Sequence, residues 1–137
     1  GGGRGGRRAA APAGPGPPGA EDALRRGGLA GIYPEGGVNR FPDQGMRPLL
    51  SGAARLATAT GAPVIPVGIW GTQRRWPWEG FSLRRPWRPV VGLAYGAPVS
   101  PDTGGQGMRD LQAFTDRLTA AIQEQLDRAR ALAGADR

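Results

Sequence analysis

Residues 60–72 read TGAPVIPVGIWGT, and this stretch decides the fold that the sequence predicts. Gly61 is placed to end a helix that begins near Leu49, because glycine readily adopts the left-handed conformation that follows a helix. The apolar run from Val64 to Trp70 then predicts a strand. Pro66 removes one backbone donor from that strand, which favours an edge position or a bend.

Working outward, similar patterns predict two more helices and two more strands. Residues 21–26 form a short helix with acids in its first turn and cations in its last. Residues 29–33 are an apolar run closed by Pro34, which predicts a buried strand, and residues 90–95 predict a third strand. Residues 110–132 predict a long amphipathic helix. Its inward positions are Leu111, Phe114, Leu118, Ile122 and Leu126.

The fold class that follows is α/β, with an incomplete open sheet of short, mostly parallel strands and flanking helices. Three short strands would leave much of the sheet uncovered, so we expect further strands before residue 20 in the complete protein. Residues 1–19 are almost entirely Gly, Ala, Pro and Arg, which predicts disorder. Residues 20–133 are the predicted folded domain.

Composition limits the chemistry. The 137 residues contain no cysteine and no histidine, which excludes thiolate zinc sites and all Ser-His or Cys-His catalysis. Every cation behind the net charge of +7 is arginine, which is typical of the coding sequence of a GC-rich bacterium. A basic chain is attracted to lipid headgroups and to nucleic acid alike. No stretch reads as a transmembrane helix or a signal peptide, and we expect a fragment or a processed product.

The segment GIYPEGGVNR, residues 31–40, carries the candidate chemistry. It delivers Pro34, Glu35, Gly36 and Gly37 to the carboxyl end of a predicted strand, where open α/β sheets bind ligands. The two glycines let the backbone approach a ligand and expose amide donors, and Glu35 can orient a hydroxyl or a cation. A turn with an ordinary solvated glutamate explains the same residues from turn chemistry alone.

Three further segments follow at characteristic spacing: SGAARLA at 51–57, the strand within 60–72, and YGAPV at 95–99. Together with residues 31–40 they resemble the lysophospholipid acyltransferase family, of the 1-acylglycerol-3-phosphate acyltransferase type. The family's third motif reads approximately Phe-Pro-Glu-Gly-Thr-Arg-Ser, and a Gly-Ala helix and a Val-Ile-Pro-Val strand, the fourth motif, come after it. The resemblance covers Ala20 to about Ala131 and corresponds to the C-terminal part of that domain.

The resemblance implies acyl transfer in phospholipid biosynthesis. The donor would be acyl-CoA or acyl carrier protein, and the acceptor the hydroxyl of a lysophospholipid or a glycerol phosphate. The family uses a His-x4-Asp motif, whose histidine is the general base. This chain contains no histidine, so we expect it not to catalyse the reaction alone. Neither a cofactor nor a metal is implied.

The resemblance also implies which residues contact the acceptor. By it we assign Tyr33, Pro34, Glu35, Gly36, Gly37 and Arg40. Gly37 stands where the family has threonine, and Val38 stands where it has a phosphate-contacting arginine. Valine cannot supply paired guanidinium donors, so either Arg40, which we favour, or Arg47 substitutes, or the acceptor is not a simple phosphate ester. Both arginines are otherwise ordinary solvated loop residues.

The loop from Thr72 to Arg88 mixes arginine with tryptophan. Its predicted membrane contacts are Arg74, Arg75, Trp76, Trp78 and Trp87, with the protein peripheral at the cytoplasmic face of the cell membrane. The rings could instead cap the core, with arginine stems packed on them, or stack on single-stranded nucleic acid, which is the weaker partner prediction. Two alternative functions follow. One is a noncatalytic lipid-binding remnant, and the other, less favoured, is an RNA-binding protein.

Overall fold

The computed structural model describes residues 19–75, 88–102 and 107–134. This part of the chain contains four α-helices, two strands and a short 3₁₀ turn. The helices are α1 (Ala20–Arg25), α2 (Gly52–Thr60), α3 (Thr72–Arg75) and α4 (Met108–Ala133), the strands are β1 (Val67–Trp70) and β2 (Gly92–Tyr95), and the 3₁₀ turn is Pro42–Gln44. The predicted disorder of residues 1–19 falls outside the described residues, apart from Gly19.

Local signals place helix α1 and the C-terminal end of helix α2 correctly, but not the start of α2. In α1 the predicted charge arrangement is present, and Arg25 Nη2 lies 2.7 Å from Glu21 Oε1. Helix α2 ends at Gly61, which has a φ of 72° and donates its N–H to the Ala57 carbonyl oxygen at 2.8 Å. Its start is Gly52 rather than Leu49, because the Leu50 N–H donates across the loop to the Pro34 carbonyl oxygen at 2.8 Å.

β1 and β2 form a two-stranded antiparallel sheet, with Val67 opposite Tyr95. The two chain segments also pair on the N-terminal side of the buried Pro66. There, Val64 and Val99 exchange both backbone hydrogen bonds at 2.8 Å. The predicted interruption of the strand at Pro66 is confirmed. The predicted parallel arrangement is wrong for this pair, because an apolar run indicates a strand but carries no information about its direction.

Helix α4 packs directly against one face of this sheet. Two strand glycines permit the approach: a Cβ added at Gly68 would fall on the backbone of Gln125, and one at Gly92 on the carbonyl oxygen of Ala129. The buried residues of this contact are Trp70, Ala94, Ala129 and Ala133. The Arg130 guanidinium lies 4.5 Å from the centre of a Trp70 ring, within the range of a cation–π interaction.

A second buried cluster joins α2 to the first half of α4. Its members are Ala54, Ala57, Phe114 and Leu118. Phe114 and Leu118 are 2% and 1% exposed, and Leu111 and Leu126 pack against the two clusters. Ile122 is half-buried. The inward face predicted for this helix from its 3.6-residue spacing is therefore confirmed.

The buried strand predicted for residues 29–33 is wrong. Leu29 and Tyr33 are 89% and 87% exposed, and the segment pairs with no strand of the described structure. An apolar segment becomes a strand only when a neighbour supplies backbone partners, and the sheet of the described residues consists of β1 and β2.

The face of the sheet that points away from α4 is apolar and accessible. Its side chains are Val67, Ile69, Leu93 and Tyr95, which are 37% to 61% exposed. The described strands thus have one packed face and one open face, consistent with the incomplete sheet that the sequence predicts. Within the described residues, none of the helices combines the length and the apolar character that a membrane crossing requires.

Candidate functional site

The Pro-Glu-Gly-Gly segment forms a tight turn ahead of α2. The Gly36 N–H donates to the Tyr33 carbonyl oxygen at 3.1 Å, and Gly36 has a φ of 63°, a conformation that favours glycine. A Cβ at Gly36 would also collide with the side chain of Leu50. Because Leu50 is tied to Pro34 by its backbone, the turn and the segment before α2 lie side by side.

Glu35 closes the loop that follows this turn. Its carboxylate accepts the backbone N–H of Arg47 at 2.7 Å, a short hydrogen bond to a charged acceptor. Within the loop, Asn39 accepts the Phe41 N–H at 3.0 Å and donates through Nδ2 to the Gly45 carbonyl oxygen at 2.7 Å. The loop between Glu35 and Arg47 is therefore shaped by its own side chains.

The Arg47 guanidinium folds back over the turn. Its Nη1 donates to the Val38 carbonyl oxygen at 3.3 Å. The same atom lies 2.5 Å from the position that a Cβ would take at Gly37. Arg47 can hold this position only because residue 37 has no side chain.

An open cavity of about 500 Å³ lies inside the loop. Its lining residues are Val38, Asn39, Arg40, Phe41 and Arg47. Two of these residues are arginines and none is acidic. A guanidinium pairs with a phosphate or a carboxylate through two parallel N–H donors. No group of three or more His, Cys, Asp or Glu side chains suited to a metal ion occurs in the described ranges.

The structure brings together several of the predicted acceptor contacts. Arg40 lines the cavity. Glu35 binds the backbone of Arg47, and Gly37 leaves room for the Arg47 side chain, which also lines the cavity. Tyr33 is exposed at the entrance to the turn. The assigned set omitted Arg47, and it omitted Asn39 and Phe41. Asn39 is typical of turns, and the sequence left Arg47 open as the alternative to Arg40 without favouring it.

The predicted membrane contacts divide into two groups. Arg74 donates to the Gly134 carbonyl oxygen at 2.7 Å and to that of Ala133 at 3.4 Å, so it caps the C-terminal end of α4. Arg75 is the last residue of α3. Trp76, Trp78 and Trp87 lie outside the described residues. Arg74 thus has a structural role, and the membrane contact of the whole group stays a prediction.

Two comparisons with known proteins found matches to acyltransferases. A family model described as Acyltransferase matches residues 18–70, a range that contains α1, the Pro-Glu-Gly-Gly turn, α2 and β1. The described fold is also similar to that of a solved acyltransferase. Residues 18–70 are therefore similar to the acyltransferase family, which confirms the resemblance seen in the motifs of this chain.

The solved structure is that of the 1-acyl-sn-glycerophosphate (LPA) acyltransferase PlsC from Thermotoga maritima. The two chains are 27% identical, with a TM-score of 0.57, over 79% of this chain and 42% of that one. This chain therefore spans less than half the length of that relative. No curated protein matches it significantly.

Proposed function

We propose that this chain supplies the acceptor-binding part of an acyltransferase. The enzyme would move a fatty acyl group from acyl-CoA or acyl carrier protein to the hydroxyl of a lysophospholipid or a glycerol phosphate. The observation that carries the proposal is the loop between Glu35 and Arg47, which surrounds an open cavity lined by two arginines in a chain similar to this family. The substrate in the name of the Thermotoga relative carries a phosphate, the kind of group that a guanidinium binds.

In the proposed reaction the acceptor hydroxyl oxygen attacks the thioester carbonyl carbon. A carbon–oxygen bond forms, the carbon–sulfur bond breaks, and the hydroxyl proton passes to a general base and then to the leaving thiolate. By family resemblance the base is the histidine of a His-x4-Asp motif. The 137 residues contain no histidine, so the proposal assigns the base to a segment outside them.

The residues of this chain act by positioning the acceptor. Binding the phosphate fixes one end of the molecule, which raises the fraction of time that the hydroxyl spends in an attacking orientation. Arg40 and Arg47 are the two arginines that line the cavity. Tyr33, Pro34 and Gly36 are proposed contacts on the resemblance alone.

An acyl-transfer assay tests this function. The chain alone, and the same chain with the coding sequence that precedes residue 1 in frame, would be given radiolabelled acyl-CoA or acyl carrier protein and lysophosphatidate. We expect labelled phosphatidate only from the longer polypeptide, and only when it contains His-x4-Asp. If the longer polypeptide has that motif, folds and forms no labelled product with either donor, the proposal is wrong.

Because one of the proposed acceptors, a lysophospholipid, is a membrane lipid, we also propose a membrane surface at the cytoplasmic face as the place of action. By itself the chain would then bind anionic lipid without transforming it. In liposome sedimentation we expect more protein to bind anionic than neutral vesicles, and less binding after Trp76→Ala with Trp78→Ala. Equal binding to both kinds of vesicle, or no effect of the tryptophan changes, would contradict this part of the proposal.

A further inference from the structure

Two of the positions that depart from the family motif lie directly beneath one arginine. By the family resemblance, Gly37 stands in place of a threonine and Val38 in place of an arginine expected to contact phosphate. The valine side chain has no hydrogen-bond donor, so residue 38 offers the cavity only apolar surface and its own main chain.

Arg47, nine residues further along, brings a guanidinium to the same place. Its Nη1 donates to the main-chain oxygen of Val38 at 3.3 Å, which engages one of the five N–H donors of the group. A Cβ at Gly37 would lie 2.5 Å from Nη1 and 3.6 Å from Cζ. The first distance is too short for any real contact. A side chain at position 37 and the guanidinium in this position therefore exclude each other.

The main chain of Arg47 is fixed by the turn as well. The Glu35 carboxylate accepts its N–H at 2.7 Å, so the glutamate of the Pro-Glu-Gly-Gly turn sets where the Arg47 side chain starts. Three residues between positions 35 and 38 thus determine the position of this side chain. Glu35 holds its backbone, Gly37 leaves room for its guanidinium, and Val38 accepts a hydrogen bond from it.

We propose that Arg47 binds the phosphate of the acceptor in place of the side chain at position 38, and that Gly37 is the specificity-determining residue that admits it. This inference rests on the proposed function and adds the residue that recognises the headgroup. The ligand chemistry is a phosphate monoester. The inference names Arg47 because its backbone N–H contacts Glu35 of the Pro-Glu-Gly-Gly turn and its guanidinium contacts Val38.

The glycine offers a variant that moves the guanidinium without removing it. In Gly37→Ala the new methyl group meets the flexible tip of Arg47, and Gly37 is not among the glycines with positive φ, so the backbone accepts alanine. Gly31→Ala is the matched control, because its Cβ would meet nothing within 4 Å. Arg55→Gln, on the exposed side of α2, is the charge-matched control for Arg47→Gln.

The experiment titrates the whole chain with inorganic phosphate, glycerol 3-phosphate and glycerol, by calorimetry or amide chemical shifts. Comparing the two phosphates separates recognition of free phosphate from recognition of the headgroup. We expect glycerol 3-phosphate to bind and glycerol not to. Arg47→Gln should weaken binding by about tenfold or more, the loss of one charge-assisted contact. Gly37→Ala should weaken it by a smaller factor, with both controls close to wild type and an unchanged unfolding temperature.

Three results would overturn the inference: no binding of either phosphate by the wild-type chain, wild-type affinity in Arg47→Gln, or a loss in Arg40→Gln without one in Arg47→Gln. If Arg47→Gln does not fold, the comparison of Gly37→Ala with Gly31→Ala decides in its place, and equal affinities would refute the proposal. Failure here is distinct from failure of the proposed function, because acyl transfer by the longer polypeptide is measured without reference to Arg47.

Discussion

Replacement of Glu35 by alanine tests how the candidate site is held together. The carboxylate accepts the Arg47 N–H at 2.7 Å, and Glu35 is half-buried. A hydrogen bond to a charged group contributes about 1.5–3 kcal/mol. Since Arg47 is exposed and water can replace the lost acceptor, the lower value applies, about 1.5 kcal/mol. Local opening of the loop should then become about tenfold more frequent.

Amide hydrogen exchange at Arg47 measures that opening directly. In Glu35→Ala we expect the Arg47 N–H to exchange about tenfold faster, while the Gly61 N–H, which donates to Ala57 at 2.8 Å in the C-terminal cap of α2, keeps its rate. Glu35→Gln retains an acceptor oxygen and should show a smaller increase. An unchanged Arg47 rate in Glu35→Ala would show that the carboxylate does not hold the loop.

Two further changes test the fold. Gly92→Ala should lower the free energy of unfolding by about 1–3 kcal/mol, since its methyl group displaces α4 from the sheet, and thermal unfolding measures the loss. A midpoint as high as that of Gly31→Ala would refute the close approach. Arg74→Gln should cost about 1 kcal/mol by removing the cap on the carbonyls of α4, with faster amide exchange in the last turn of that helix. If it only weakens vesicle binding, Arg74 is a membrane contact and not a cap.

The helices were predictable because their signals are local. Acids and a cation at opposite ends placed α1, a glycine in the left-handed conformation ended α2, and spacing of 3.6 residues gave the inward face of α4. None of these signals depends on a partner distant in sequence. They therefore survive in a chain that spans less than half of its solved relative.

The strands were less predictable because a strand is defined by its neighbour. Residues 29–33 have the apolar content of a strand but are exposed in the described structure, whereas β2 pairs because β1 lies beside it. The direction of that pairing was also hidden in the sequence. Gly68 and Gly92 could have been read as sites of close approach, since glycine within a strand often marks one.

The candidate site was predictable in its turn but not in its side chains. The order Pro-Glu-Gly-Gly predicted the position of the turn. Gly36 adopts a positive φ, and Gly37 permits a close approach of the Arg47 side chain, and both roles are typical of glycine. The choice between Arg40 and Arg47 depends on how the loop closes, and that is set by one bond between the Glu35 side chain and a backbone N–H. A side chain can accept from many backbone positions, so sequence spacing does not specify which one.

The loop around the cavity is shaped mostly by contacts within residues 33–50. Within the described residues, the loop is linked to α4 by a hydrogen bond from the Met46 N–H to Gln123 Oε1 and by an ion pair between Arg130 and Asp43, each at 3.5 Å. Both lie at the long end of useful distances and contribute little compared with the 2.7 Å bond of Glu35. We therefore expect the loop to keep its form whether or not the remainder of an acyltransferase domain is present. Acceptor binding and proton abstraction would then be separable, and a chain without histidine would retain the first.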